Sequence, residues 1–120
     1  MGAAANTAPR WETERNIWLA TVRADGRPHL VPIWFVEDAG RWYICTAPDS
    51  VKARNLQSNL RAMWSLEDGD RAQVWEGTAQ TVAPPAAVVR KFKEKFDWDI
   101  LTDTQYGLVF ELTPIRQVMG

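Results

Sequence analysis

Ile17-Trp18-Leu19-Ala20-Thr21-Val22, then Arg23-Ala24-Asp25-Gly26-Arg27-Pro28, then His29-Leu30-Val31-Pro32-Ile33-Trp34-Phe35-Val36 is the stretch whose reading decides the fold. Two apolar runs flank an Asp-Gly pair, a strong short-range signal for a β-hairpin. Ile17 to Val22 reads as a strand apolar on both faces, and His29 to Val36 as its partner. Pro28 ends the turn. Pro32 lies inside the second strand and cannot donate to a ladder, so that strand belongs at a sheet edge or a bulge. A strand held open at one point can offer its remaining backbone groups to a ligand.

Downstream, Glu37-Asp38-Ala39-Gly40 makes a turn and Trp42 to Thr46 returns as a third strand. After Ala47-Pro48-Asp49 a helix runs from about Ser50 to Asn59, capped by Asp49 or Ser50, with Ala53, Leu56 and Leu60 facing a core. Lys52, Asn55 and Asn59 share another face. Arg54 stands two residues from Lys52 and points elsewhere. Arg61 to Glu67 alternates cleanly, with Ala62, Trp64 and Leu66 on one side. Asp68-Gly69-Asp70 turns the chain into a long strand, Ala72 to Val82, in which Gly77 marks a bulge or a close approach. Pro84-Pro85 starts a helix through Phe96. Its apolar stripe is Val88, Val89, Phe92 and Phe96, and Arg90, Lys91, Lys93 and Lys95 are expected to face water. Asp97 to Gln105 is a polar connection. Tyr106 to Thr113 forms the last strand, which Pro114 interrupts before Ile115 to Met119 resumes pairing. Upstream, Pro9 to Asn16 reads as a short helix, and residues 1–10 as a flexible tail. Six short strands and two or three short helices point to a mainly β domain over 11–120, a Greek-key barrel.

The composition narrows the function. A chain of 120 residues with net charge −1 is one domain without the field that favours nucleic acid or an anionic membrane surface. No apolar run is long enough to span a bilayer. Met1 to Asn6 lacks the basic-then-apolar pattern of a secretory signal, so the expected location is cytoplasmic. The single cysteine, Cys45, excludes an internal disulfide framework and lies in an apolar run, as a buried thiol does. Seven tryptophans in so short a chain can fill a core, line a ligand groove or cover a subunit interface.

One histidine and one cysteine cannot make a His/Cys metal site of ordinary spacing. There is no nucleophile elbow, Rossmann fingerprint or P-loop. His29, just after a turn, reads as a structural or surface residue before a catalytic one. Asp68 and Asp70 bracket a glycine as turn formers do. The one ligand-like feature is Ser50-Val51-Lys52-Ala53-Arg54-Asn55-Leu56, where a hydroxyl, free backbone N–H groups and a lysine gather at a helix start. That combination suits an anion, most naturally a phosphate. The alternative is a capped surface helix with solvated cations. If the protein is an enzyme, a bound organic cofactor supplies the reactive atoms.

Taken in order, Trp18 to Val22, Asp25 to Phe35, Tyr43 to Thr46, Lys52 to Leu56 and Glu76 to Ala79 resemble the pyridoxamine-5′-phosphate-oxidase-like superfamily. Within it they are similar to the actinobacterial flavin/deazaflavin oxidoreductases of class B. The resemblance covers residues 11–119. It implies a split β-barrel working as a homodimer, with two cofactors in grooves between the subunits. It implies that Ser50 and Lys52 hold the cofactor phosphate, with Asn55 beside that site and Thr46 at the end of the strand leading to it. Val31, Pro32 and Ile33 match the strand whose backbone runs along the tricyclic ring. Arg71 and Gln73 begin the strand that walls the groove in relatives. Leu60 departs from the family's usual proline at a turn.

Ser50 stands where some relatives carry arginine, and no second phosphate site is seen, which disfavours vitamin B6 oxidation. The preferred cofactor is coenzyme F420, with Arg54 and Arg71 as candidates for its charged tail; FMN is the alternative. No catalytic side chain is assigned. The expected function is an F420-dependent reductase passing a hydride to a conjugated planar small molecule. A non-catalytic F420 or flavin carrier and an FMN-dependent oxidoreductase are the other readings. Whether Trp34, Trp75 or Trp98 faces the groove is open at the level of sequence.

Overall fold

A computed structural model describes residues 8–120. The expected tail at 1–10 therefore lies mostly outside the described residues. Its last member, Arg10, is held by Glu14 at 2.6 Å and donates to the Arg71 carbonyl.

Among the described residues, seven antiparallel strands form one sheet: β1 (Asn16–Val22), β2 (Pro28–Trp34), β3 (Val36–Asp38), β4 (Arg41–Thr46), β5 (Arg61–Leu66), β6 (Val74–Thr81) and β7 (Leu108–Met119). Helix α1 (Val51–Ser58) follows β4, and α2 (Ala86–Phe96) links β6 to β7. The sheet order is β2-β1-β5-β6-β7-β4-β3. Its two edge strands, β2 and β3, are consecutive in the chain and are joined at Phe35. The sheet thus curls back on itself without a ladder across the seam, which makes a split β-barrel.

The Asp25-Gly26 hairpin forms as the sequence requires. Gly26 takes φ +89°, and the Asp25 carboxylate accepts from the Arg27 backbone N–H. Pro32 sits on edge strand β2, opposite Trp18, where its missing N–H costs least. The expected strand from His29 to Val36 is divided: Phe35 interrupts it, and residues 36–38 turn back to pair with β4. This division accounts for seven strands where six are expected. A two-residue Ala39-Gly40 turn, with φ positive at both positions, closes that second hairpin.

Three other expectations are corrected. Pro9 to Asn16 forms only a single 3-10 turn at Arg10–Glu12, and Asn16 already belongs to β1. β1 buries only one face, because Trp18 on the other is 41% exposed. Pro114 does not interrupt the last strand. It lies opposite Gly77, beside a register shift between Glu76 and Gly77, where the ladder is already irregular. A Cβ on Gly77 would lie 2.0 Å from the Thr113 carbonyl oxygen, so only glycine lets the two strands meet there.

The core is double. Ile17, Leu19, Phe35, Trp42, Ile44, Trp64, Leu66, Trp75, Phe110 and Leu112 fill the barrel, and Ala53 and Leu56 of α1 join them. On the outer face of β4 and β7, Tyr43, Cys45 and Val109 pack against Val88, Phe92 and Phe96 of α2. Burial pushes the Cys45 thiol up to about 12, so it is protonated and unreactive near neutral pH. Lys95 of α2 does not face water as expected, and Lys91, with its side chain 42% exposed, does so only in part. Lys95 donates to the carbonyls of Trp11 and Phe35 at 3.0 Å each, and Lys91 to that of Glu37 at 2.7 Å. Residues four apart on a helix and two apart on a strand advance by nearly the same distance, about 6 Å and about 6.6 Å. One helix face can therefore cap successive carbonyls along the seam between β2 and β3.

Candidate functional site

The capped start of α1 is the candidate site. Ser50 is its N-cap, and its Oγ accepts from the Ala53 N–H at 3.2 Å. The hydroxyl proton remains available to donate outward. The N–H groups of Val51 and Lys52, in the first turn, have no helical acceptor. Lys52 is half-buried, and burial holds its pKa below the ordinary value. Among the described residues no carboxylate lies within ion-pair distance of it. A partly desolvated ammonium without a counter-ion is costly unless something anionic completes it.

Thr46 ends β4 on the barrel's inward face, in register with Trp42 and Ile44. It is fully buried, and its Oγ1 has no hydrogen-bond partner. Asn55 is also buried rather than sharing an open face with Lys52. Its Nδ2 donates to Thr21 Oγ1 at 3.0 Å, which ties α1 to β1. Arg54 is exposed, facing away from this cluster.

Val31, Pro32 and Ile33 occupy the centre of β2. Val31 and Ile33 lie on the half-buried inner face, and Pro32 is exposed on the outer one. They stand opposite Leu19, Trp18 and Ile17. Toward the α1 end on the same inner face is His29, opposite Thr21. Sequence reading gives His29 a surface or structural role; its Nδ1 is buried without a partner among the described residues. Loss of solvent, and then the positive charges of Arg23 and Lys52, hold its pKa below the ordinary value. A histidine at a strand start carries no local sequence signal for this. Only the seating of α1 on β1 brings Lys52 near it.

Arg71 and Gln73 lie elsewhere in the chain. Arg71 ends a 3-10 turn at Gly69–Arg71 and pairs with Asp68 at 3.0 Å. The Gln73 carbonyl accepts from Leu66, which stands opposite Ile17, whereas Asn55 meets β1 at Thr21. Four strand residues, about 13 Å, separate those levels. A single chain thus gathers Thr46, Ser50, Lys52 and Asn55 with His29 at one end and leaves Arg71 and Gln73 at the other.

The tryptophans divide as well. Trp75 is buried in the barrel beside Trp42, with ring centroids 4.7 Å apart. Trp98 packs edge-on to Phe92 and donates to Asp103. Trp34 stacks on Phe96 at 4.4 Å yet remains 40% exposed. A separate cleft of about 400 Å³ opens between Trp11, Glu12, Val36, Glu37, Lys91, Glu94 and Lys95. None of the site residues expected from sequence lines it. Among the described residues, no group of three or more His, Cys, Asp or Glu side chains is placed to hold a metal ion. No helix among them is long and apolar enough to cross a membrane.

Comparison with solved structures finds the same fold repeatedly. HutZ, the heme storage protein from Vibrio cholerae, superposes with TM-score 0.72 at 21% identity, covering 92% of each chain. An F420 reductase superposes with TM-score 0.72 at 23% identity, covering 89% of this chain and 91% of that one. A conserved hypothetical protein from Mycobacterium tuberculosis gives TM-score 0.72 at 28% identity, covering 88% and 76%. No curated protein matches the chain. The family model described as pyridoxamine 5′-phosphate oxidase matches residues 5–114. With its split barrel and a match over nearly its whole length, the chain belongs to the pyridoxamine 5′-phosphate oxidase family.

Proposed function

We propose that the protein is a coenzyme F420-dependent reductase of a planar, conjugated small molecule, working as a homodimer. The observation that carries this reading is the half-buried Lys52 at the start of α1, which has no ion-pair partner among the described residues; Thr46, at the end of the strand leading into α1, has a buried Oγ1 that is also unpartnered among them. Orphaned polar groups of this kind fit a ligand phosphate: Lys52 supplies charge, and Ser50 and the first-turn N–H groups supply donors. Asn55 braces the helix through Thr21 and keeps the donors in place. The edge backbone of Val31 to Ile33 runs from this end along β2 and is a free surface for a flat ring.

The bound deazaflavin would supply the hydride, and the chain's work is to bind, orient and exclude water. The single thiol is buried and protonated near neutral pH. The dimer completes the groove. Leu30, Trp18 and Met63 are exposed on the adjoining strands β2, β1 and β5 of the outer sheet face, an apolar area that a second copy would cover. A second copy can also bring Arg71 and Gln73 to a site from which they are remote within one chain. One similar structure is an F420 reductase, which supports the choice of cofactor.

Titration with reduced and oxidised F420 and with FMN tests the cofactor. Mixing protein and reduced F420 with quinones, coumarin-type lactones and tetrapyrroles, and following reoxidation by absorbance, tests the reaction. Saturable F420 binding with accelerated reoxidation is the expected result. Binding without acceleration across the panel would favour a carrier, the reading that the absence of an assigned catalytic side chain keeps in play. A yellow protein that binds FMN and ignores F420 would replace the cofactor.

A further inference from the structure

We propose that His29 is a direct binding residue for the anionic group held at the start of α1, and that protonation of its ring tightens that binding. The inference rests on the reading that this site takes a phosphate-bearing cofactor, and it adds a residue and a pH response that the family resemblance does not supply.

Its first support is the orphaned ring nitrogen. Nδ1 of His29 is buried, and no hydrogen bond from the surrounding described residues reaches it. Thr21, opposite on β1, already accepts from Asn55. Val31, the next residue on the same face of β2, has no polar side chain.

The second support is the sign of the neighbouring charge. Arg23 on the hairpin and Lys52 on α1 are the charged groups acting on the ring, and both are positive. Arg23 donates to the Pro28 carbonyl, which keeps its guanidinium beside the strand that carries His29. The nearby Asp25 is engaged with Arg27 at 2.8 Å out in the exposed turn. β1 contributes the uncharged Thr21 opposite the ring. The charges of two cations, on the hairpin and on α1, thus act on the imidazole of β2, and among the described residues no acid acts on it. Such a cluster repels itself when empty, and an anion placed among its members relieves all three at once.

The third support is the place of His29 along the groove. It lies on the same strand and face as Val31 and Ile33, between them and the α1 start. A ligand running along β2 with its anion at Lys52 passes His29. With the site empty, Arg23 and Lys52 disfavour the imidazolium. With an anion bound, their field is offset and a protonated ring gains a partner. By linkage, a rise of one unit in the ring's pKa on binding means about tenfold tighter binding below that range than above it.

His29 is the only histidine in the chain, so its ring C–H resonance is unambiguous in NMR once any tag is removed. Its titration would be followed in the free protein, with sulfate, which stays a dianion across the range, and with F420. In parallel, F420 affinity would be measured at about pH 5.5 and about pH 8 for the wild type and for His29→Gln. The expected result is a midpoint raised by about one unit by either ligand, with wild-type affinity about tenfold tighter at the lower pH and that ratio lost in His29→Gln. F420 binding with an unmoved midpoint, or with the same pH ratio in His29→Gln, would overturn the inference and leave the proposed function standing. A midpoint moved by sulfate with no F420 binding would keep the anion site and its histidine and overturn the cofactor. No response to either ligand would overturn both. Should His29→Gln fail to fold, the wild-type ring titration decides alone.

Discussion

At the scale of the residue, the site depends on a few polar groups whose partners differ in kind. Lys52 has no partner among the described residues, so its removal should be felt by the ligand and not by the fold. Charge-assisted contacts contribute about 1.5–3 kcal/mol. Lys52→Ala should therefore weaken cofactor binding by about tenfold or more with an unchanged unfolding midpoint; unchanged affinity would remove Lys52 from the site. Asn55 is the opposite case, since its amide is spent on Thr21 inside the protein. Asn55→Ala leaves a buried hydroxyl without its donor and should lower stability by about 1–3 kcal/mol in denaturant titration. A loss of binding with no loss of stability would show Asn55 to be a ligand contact after all. The sequence alone distinguishes these two residues poorly. Both sit on a short helix at polar positions, and only docking against β1 decides which one is buried.

At the scale of the element, the crossing of β6 and β7 and the lysine face of α2 make the sharpest expectations. Gly77→Ala places a methyl against the Thr113 carbonyl and the Trp64 ring. The strands must separate to admit it, so the variant should lose about 3 kcal/mol or more, visible as a large fall in Tm. An unchanged Tm would mean that the strands separate freely there. Lys95 caps the carbonyls of Trp11 and Phe35 and lies 3.9 Å from the centre of the Phe35 ring. Burial, helped by Arg15, brings its pKa down to about 8 from an ordinary 10.5. Between those values the unfolded chain still holds a proton that the folded chain has released. Unfolding then takes up a proton, and this group's contribution to stability rises with pH across that window. The Tm of the wild type relative to Lys95→Met should accordingly move in favour of the wild type between about pH 7 and about pH 10. A constant difference would show the amine to be solvated. Helical periodicity alone puts Lys91 and Lys95 in water, because the pattern of α2 says nothing about the open carbonyls it lies beside.

At the scale of the whole molecule, the outward face of the sheet sets the expectation. Leu30 is 62% exposed and stands opposite Ala20, which in turn stands opposite Met63. If a second copy covers this patch, Leu30→Asp buries a charge at the interface and should convert a dimer to a monomer by light scattering. F420 binding should weaken with it, since the groove loses the partner's wall. A wild type that is monomeric at micromolar concentration with cofactor bound would end both the dimer and the shared groove.

What the sequence by itself determined is the local physics. The Asp-Gly hairpin, an edge or bulge position for Pro32, a cap at Asp49 or Ser50, the alternation of Ala62, Trp64 and Leu66, and a bulge or close approach at Gly77 are all set by near neighbours and periodicity. Each holds in the structure for the reason its residues imply. The tertiary structure decided what depends on distant partners. Phe35 turns into the barrel, which divides one expected strand and sets the seam. Pro114 keeps its strand because Gly77, 37 positions away, has already loosened the ladder. His29 feels charges from a hairpin and a helix that periodicity cannot place beside it. Local spacing reports which face a residue takes, whereas the charge and burial it meets there come from chain segments that only folding brings together.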